Sequence, residues 1–148
     1  MRPATQHGGK VVGFTGARAG MTPLQLDVFA RILQRLQPTR FVHGDCIGAD
    51  ADAHAWIVGS GLALPIRIRP STSATRAWSE GADEVLPPRK PMLRNRDIVD
   101  DAELMVACSP SPSEILRSGT WAAIRYARKK NKPLVIIWPD GSVAWERL

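Results

Sequence analysis

Apolar residues along this chain come in short unbroken runs and in helically spaced sets, and the two kinds alternate. Lys10-Val-Val-Gly-Phe-Thr15 is a strand-sized run ending in a Gly-rich turn, Gly16-Ala-Arg-Ala-Gly20. Thr22-Pro23 reads as an N-cap with proline at the first helical position. Leu26, Phe29, Ala30, Leu33 and Leu36 then keep helical spacing until Pro38 stops it. Residues 40–43 predict a second strand, Gly44-Asp-Cys-Ile-Gly48 its turn, and 49–58 a helix ending at Gly59-Ser-Gly61. A third strand is expected over 62–68 in spite of Pro65, a helix over 92–101 and a fourth strand over 103–107. A helix over 118–130, a fifth strand over 133–138 and a candidate edge strand, Val143-Ala-Trp145, complete the reading. Residues 70–91 keep neither period; a loop that long is expected to be a functional loop or lid, or simply mobile.

Strands that are continuously apolar rather than alternating belong to a parallel sheet covered on both faces. Alternation with helices therefore predicts an α/β, Rossmann-like, doubly wound domain with a mainly parallel five-stranded sheet, expected order 3-2-1-4-5. Ligands in such sheets bind beyond the carboxyl ends of the strands where the winding reverses, here between the first and fourth strands. The chain has no internal repeat, and its 148 residues are expected to form one domain with its core over 10–138.

Composition narrows the class. At 44% apolar and 23% charged the chain is ordinary globular material. No apolar run approaches the ~20 residues that span a bilayer, and Met1 to Lys10 lacks an apolar signal core. Two cysteines make no disulfide framework. A cytoplasmic protein with no membrane partner is expected. The net charge of +6 favours anionic partners, from mononucleotides to nucleic acid. One basic cluster is Arg89-Lys90 with Arg94 and Arg96; the other, Arg125 to Lys132, ends a helix, where complementing the helix dipole is the weightier reading.

The turns at the expected ligand edge, 16–22, 44–50 and 109–120, are all rich in Gly, Ser or Thr. Glycine lets backbone amides approach an anion, and the helix that follows adds its N-terminal dipole. Arg18 projects from the first turn with a fork suited to two phosphate oxygens. Ser118-Gly119-Thr120 opens the last helix and offers hydroxyls and free amides. Neither a G-x-G-x-x-G fingerprint nor a Walker G-K-[ST] is present. Asp50 and His54, spaced i,i+4, share a helix face: either Asp50 contacts a ribose or base with His54 as partner, or it caps the helix and satisfies His54. No metal site is expected, since His7, His43 and His54 have no ligand spacing with cysteine. Cys46 and Cys108 follow strands about 9–10 Å apart, too far for a disulfide. A Cys46–His43 catalytic pair is a minor alternative. Trp56 and Trp138 read as core residues, Trp121 either stacks on a base or packs under its loop, and Trp78 is the candidate lid residue.

Together, Gly16-Ala-Arg18, His43-Gly-Asp-Cys-Ile-Gly-Ala-Asp50 with His54, Arg94-Asn95-Arg96-Asp-Ile98 and Ser118-Gly-Thr120 resemble the SLOG superfamily. That group joins the Lonely Guy proteins, the DNA-processing protein DprA and small proteins of the YpsA/DUF2493 type. Gly48-Ala-Asp-Ala-Asp-Ala-His54 is similar to the G-I-D-x-x-A-H of DprA, and the chain's length is closer to the DUF2493 type. The resemblance implies a Rossmann-like domain binding a nucleotide or nucleotide-derived ligand, often as a homo-oligomer. It also implies a binding set of Thr15, Gly16, Arg18, Gly44, Asp45, Gly48, Asp50, Arg94, Asn95, Ser118, Gly119 and Thr120. The glutamate with which Lonely Guy enzymes cleave N-glycosidic bonds falls at Ala123, so no catalytic residue is assigned, though Glu114 is a conceivable substitute. The expected role is nucleotide binding as a sensor or carrier, with no cofactor or metal. The alternatives are a nucleotide N-glycosidase and DprA-like binding of single-stranded DNA.

Overall fold

The computed structural model describes residues 10–147, so His7 and all but the last residue of the 1–10 leader lie outside it. Its elements are β1 (Val11–Gly16), α1 (Pro23–Leu36), β2 (Arg40–His43), α2 (Ala49–Ser60), β3 (Ile66–Ile68) and β4 (Glu84–Val85), followed by α3 (Pro91–Asp101), β5 (Leu104–Cys108), α4 (Gly119–Lys129), β6 (Leu134–Ile137) and β7 (Val143–Glu146). The sheet runs β4-β3-β2-β1-β5-β6-β7, parallel throughout except for antiparallel β7.

The expected 3-2-1-4-5 order is the centre of this sheet, from β3 to β6, and the fold is α/β and Rossmann-like. Two further strands make seven rather than five. The two-residue β4 has no periodicity to reveal it; Arg67 of β3 holds it by an ion pair to Glu84 at 2.7 Å. β7 forms the edge strand suggested by Val143-Ala-Trp145. The third strand is three residues long rather than seven, because Pro65 has no N–H and serves only as an acceptor for Phe41 N at 2.9 Å.

The predicted α1 cap forms as a reciprocal box: Thr22 Oγ1 accepts from Gln25 N and Gln25 Oε1 accepts from Thr22 N, both at 3.0 Å. The amide of Gln25 is buried and donates to the carbonyls of Ser109 and Ile137, tying α1 to the ends of β5 and β6. α1 and α2 cover one sheet face around Phe14, Phe29 and Phe41, whose ring centroids lie 5.3–5.8 Å apart. α3 and α4 cover the other, over Met105, Ala107, Leu134 and Ile136. Trp121 is buried there beside Trp138, its indole N–H donating to Ser109 Oγ at 3.1 Å. No helix among the described residues is long and apolar enough to cross a membrane.

Candidate functional site

The helix pairs lie on opposite faces, so the turns after the adjacent strands β1 and β5 diverge and leave a crevice. A cavity of about 450 Å³ occupies it, within the range of small-molecule sites. Its walls come from the end of β1, the starts of α2, α3 and α4, and residues 71–75.

Of the expected binding set, Thr15, Gly16, Arg18, Asp50, Arg94, Asn95, Ser118, Gly119 and Thr120 line this cavity. Gly44, Asp45 and Gly48 stand outside its lining and support it from behind. Gly44 lies flat against the guanidinium of Arg94, which donates to its carbonyl at 2.8 Å. Gly48 caps α2 at φ 99°, hard against the carbonyls of Ala17 and Arg18. Asp45 is fully buried and accepts from Arg76 Nε at 3.0 Å and from the Ser79 amide at 3.1 Å. Burial pushes the Asp45 carboxyl up, but these hydrogen bonds outweigh it and hold it below the usual carboxylate value.

The charge in the cavity is lopsided. Arg18, Arg94 and Arg117 reach it, and none forms a salt bridge among the described residues. Arg94 is buried, held by the carbonyls of Gly44 and Arg69, by Asn95 Oδ1 at 2.9 Å and by Cys46 Sγ at 3.3 Å. The sole carboxylate on the described wall is Asp50, whose Oδ2 accepts from the Cys46 amide at 3.1 Å. Burial pushes the Asp50 carboxyl up to about 6 against the pull of that hydrogen bond and of Arg94. Burial likewise raises the thiol of Cys46 above its ordinary value. At the start of α4, Ser118 Oγ accepts from Trp121 N, while the Gly119 and Thr120 amides have no intrahelical acceptor.

The histidines behave differently from expectation. His54 does not pair with Asp50; its Nδ1 lies 2.9 Å from His43 Nε2 and its Nε2 lies 2.6 Å from the Glu80 carbonyl. The Asp45 amide donates to His43 Nδ1, so Nε2 of His43 must carry the proton and donate to His54, which in turn donates to Glu80. Both rings are thereby committed as neutral tautomers. Burial, with the neighbouring His54, depresses the His43 value to about 3. His43 therefore has no nitrogen left for Cys46, which removes the Cys–His pair. Both cysteines are free thiols.

Residues 70–91 wall the cavity with Ser71, Ser73 and Thr75. Their hydroxyl-rich composition was visible in the sequence; what docks them was not, since it is Asp45 and the histidine pair at long range. Arg117 is a cavity residue that sequence reasoning missed, because nothing in its spacing separates it from other loop cations. Trp78 is no lid: it is 69% exposed and outside the cavity lining, and its ring covers the Arg76 guanidinium at 3.8 Å. Trp121 packs beneath the loop rather than facing a ligand. Glu114, the conceivable substitute carboxylate, is drawn outward by Arg125 at 2.9 Å.

No family model matches the sequence, and no curated protein matches it. Solved structures do resemble the fold. A molybdenum cofactor binding protein from the phototrophic bacterium Rippkaea orientalis superposes with a TM-score of 0.66 at 16% identity, over 88% of this chain and 77% of that one. The structural-genomics target TM1055 superposes with a TM-score of 0.59, also at 16% identity, over 84% of this chain and 72% of its own. At this identity the shared property is the Rossmann-like architecture, with its sheet and flanking helices.

Proposed function

We propose that the protein binds a phosphate-bearing nucleotide or nucleotide-derived ligand in the cavity between β1 and β5, as a sensor or carrier of the SLOG type. The observation that carries this reading is the charge imbalance: three arginines without carboxylate partners, beside the free first-turn amides of α4, face one carboxylate. An anion with several oxygens answers that surplus, Arg18 and Arg117 offering forks and Gly119 and Thr120 offering amides. Arg94 acts from beneath as a fixed positive charge. The hydroxyls of Ser71, Ser73 and Thr75 suit a ribose or a further phosphate oxygen. The molybdenum cofactor binding protein named above is consistent with a small-molecule ligand on this architecture.

The test is calorimetric titration with AMP and with adenosine at fixed ionic strength. AMP is expected to bind and adenosine to bind far more weakly. Arg18→Ala and Thr120→Ala are each expected to weaken AMP about tenfold, the worth of one charge-assisted contact. Unchanged affinity in both variants overturns the phosphate cradle. An affinity confined to oligothymidine and collapsing with salt would instead indicate a nucleic-acid site.

Asp50 supports a second reading, hydrolysis of a nucleotide N-glycosidic bond. A buried cavity carboxyl titrating near 6 is poised to exchange a proton close to neutral pH. Release of free base from a nucleoside monophosphate, abolished in Asp50→Asn, is its expected signature; intact nucleotide after prolonged incubation rules it out.

A further inference from the structure

A second concavity, of about 240 Å³, lies between α3 and α4 on the outer side of the first. Asn95 and Ala123 belong to the walls of both. The second is lined by Arg96, Arg125 and Lys129 around the ring of Tyr126. Arg125 is committed to Glu114 and to the carbonyl of Leu116. Arg96 and Lys129 are exposed and make no salt bridge among the described residues; Arg96 stands over the Tyr126 ring at 5.4 Å.

The residue between the two spaces has its orientation set. Arg94 Nε can only donate, so the atom facing it at 2.9 Å is the carbonyl oxygen of Asn95. The Asn95 amide nitrogen is thereby turned to the other side, 4.0 Å from where a side chain at Gly119 would begin. Gly119 carries no side chain to close that passage, and Ala123 carries the smallest one. A donor, a free helix-start amide and an open gap thus connect a cationic cavity to a cationic groove.

We infer that the natural ligand extends through this gap: a nucleotide joined by a pyrophosphate to a second polar group, the bridge passing Asn95 and Gly119 and the second group lying in the α3–α4 groove beside Arg96, Tyr126 and Lys129. The inference rests on the nucleotide reading above and adds the ligand's length and second charge. Two separated cationic sites joined by donors match two linked phosphates better than one. The aromatic ring offers a flat surface to a sugar or heterocycle at the far end.

The experiment compares AMP with ADP-ribose by calorimetry at one ionic strength, in the wild type and in the Arg96→Glu/Lys129→Glu double variant. Both substitutions are on exposed helix positions, and circular dichroism checks that the variant is folded. ADP-ribose is expected to bind the wild type at least about tenfold more tightly than AMP. The double variant is expected to lose that advantage while its AMP affinity stays within about twofold. Equal affinities in the wild type overturn the inference, as does a variant that weakens both ligands alike. A variant that changes the sedimentation coefficient and leaves the ligand ratio intact also overturns it, and assigns the groove to a second copy of the chain. Absence of binding by either ligand overturns the nucleotide reading itself, which separates the two failures.

Discussion

Asp50 and His43 are both buried, both titrate away from their ordinary values, and pull stability in opposite directions with pH. A carboxyl whose folded value is raised binds its proton more tightly in the folded state. Asp50 therefore stabilises the fold most below about pH 4 and loses that contribution as pH rises through 6. A shift from 3.8 to about 6 corresponds to about 3 kcal/mol of cost at neutral pH, as an order of magnitude. Asp50→Asn is accordingly expected to raise the urea midpoint at pH 8 and to leave it nearly unchanged at pH 4. Equal midpoints at pH 8 would mean that Arg94 already neutralises the burial cost. His43 has the opposite sign: its value falls from 6.5 to about 3, so the unfolded chain binds the extra proton between those limits. Its contribution is complete above pH 6.5 and is lost as pH falls toward 3. In Asp50→Asn the remaining histidine effect is expected to leave stability rising monotonically from pH 4 to 6.5, which a series of urea melts reads directly.

At the scale of elements, the turn after β1 is stapled to α2. The Ala49 amide donates to the Ala17 carbonyl at 2.9 Å, and Met21 N donates to Asp52 Oδ2 at 2.9 Å. Only the side chain of Arg18 is left free to adapt to a ligand, so little backbone ordering is spent on binding. Gly48 makes the staple possible through its positive φ and its missing side chain. Gly48→Ala is expected to cost at least about 2 kcal/mol in chemical denaturation, from backbone strain and overlap with the Ala17 and Arg18 carbonyls. It is also expected to displace Arg18 and weaken AMP; a neutral effect on both would show that the turn is not held as described. These local features were largely legible: Thr22-Pro23 announced its cap, Gly44 to Gly48 its turn, and unbroken apolar runs the parallel strands. The partners of His54 and Asp45 were not, because each is met across the fold. An i,i+4 spacing places Asp50 and His54 on one helix face, yet the His43 ring reaches His54 from the neighbouring strand. Residues 70–91 were illegible for the same reason. They are held by Asp45, His54 and the edge of β3, with no periodicity of their own.

Across the whole molecule, one wall of the cavity depends on that long segment. The Ala77 amide donates to the Asp45 carbonyl at 2.7 Å and the Ile47 amide to the Thr75 carbonyl at 3.0 Å, so the segment is pinned on both sides of Arg76. Asp45→Asn replaces one accepting oxygen by a donor facing Ser79 N or Arg76. Faster amide hydrogen exchange over residues 75–81 is expected, together with weaker ligand binding, while α1 and β6 stay protected. Exchange that is unaltered in that segment would mean that the histidine relay alone secures it. The order of the central strands was readable from the alternation of patterns, since right-handed crossovers leave few other topologies. The two extra edge strands were not, because one is two residues long and the other follows a turn at the chain's end.

The pairing of β1 with β5 joins Val12 to Leu104, across most of the chain, and that pairing is what brings the two sides of the cavity together. Loop closure over such a distance is paid before the contact rewards it, so parallel pairs of this kind form late and slowly. A chain emerging from a ribosome possesses Arg18 early, yet has nothing for it to face until β5 and the start of α4 have been synthesised and docked. Ligand is therefore recruited only by completed molecules. It leaves the folding rate untouched and slows unfolding, so its presence lengthens the lifetime of the finished protein rather than hastening its birth.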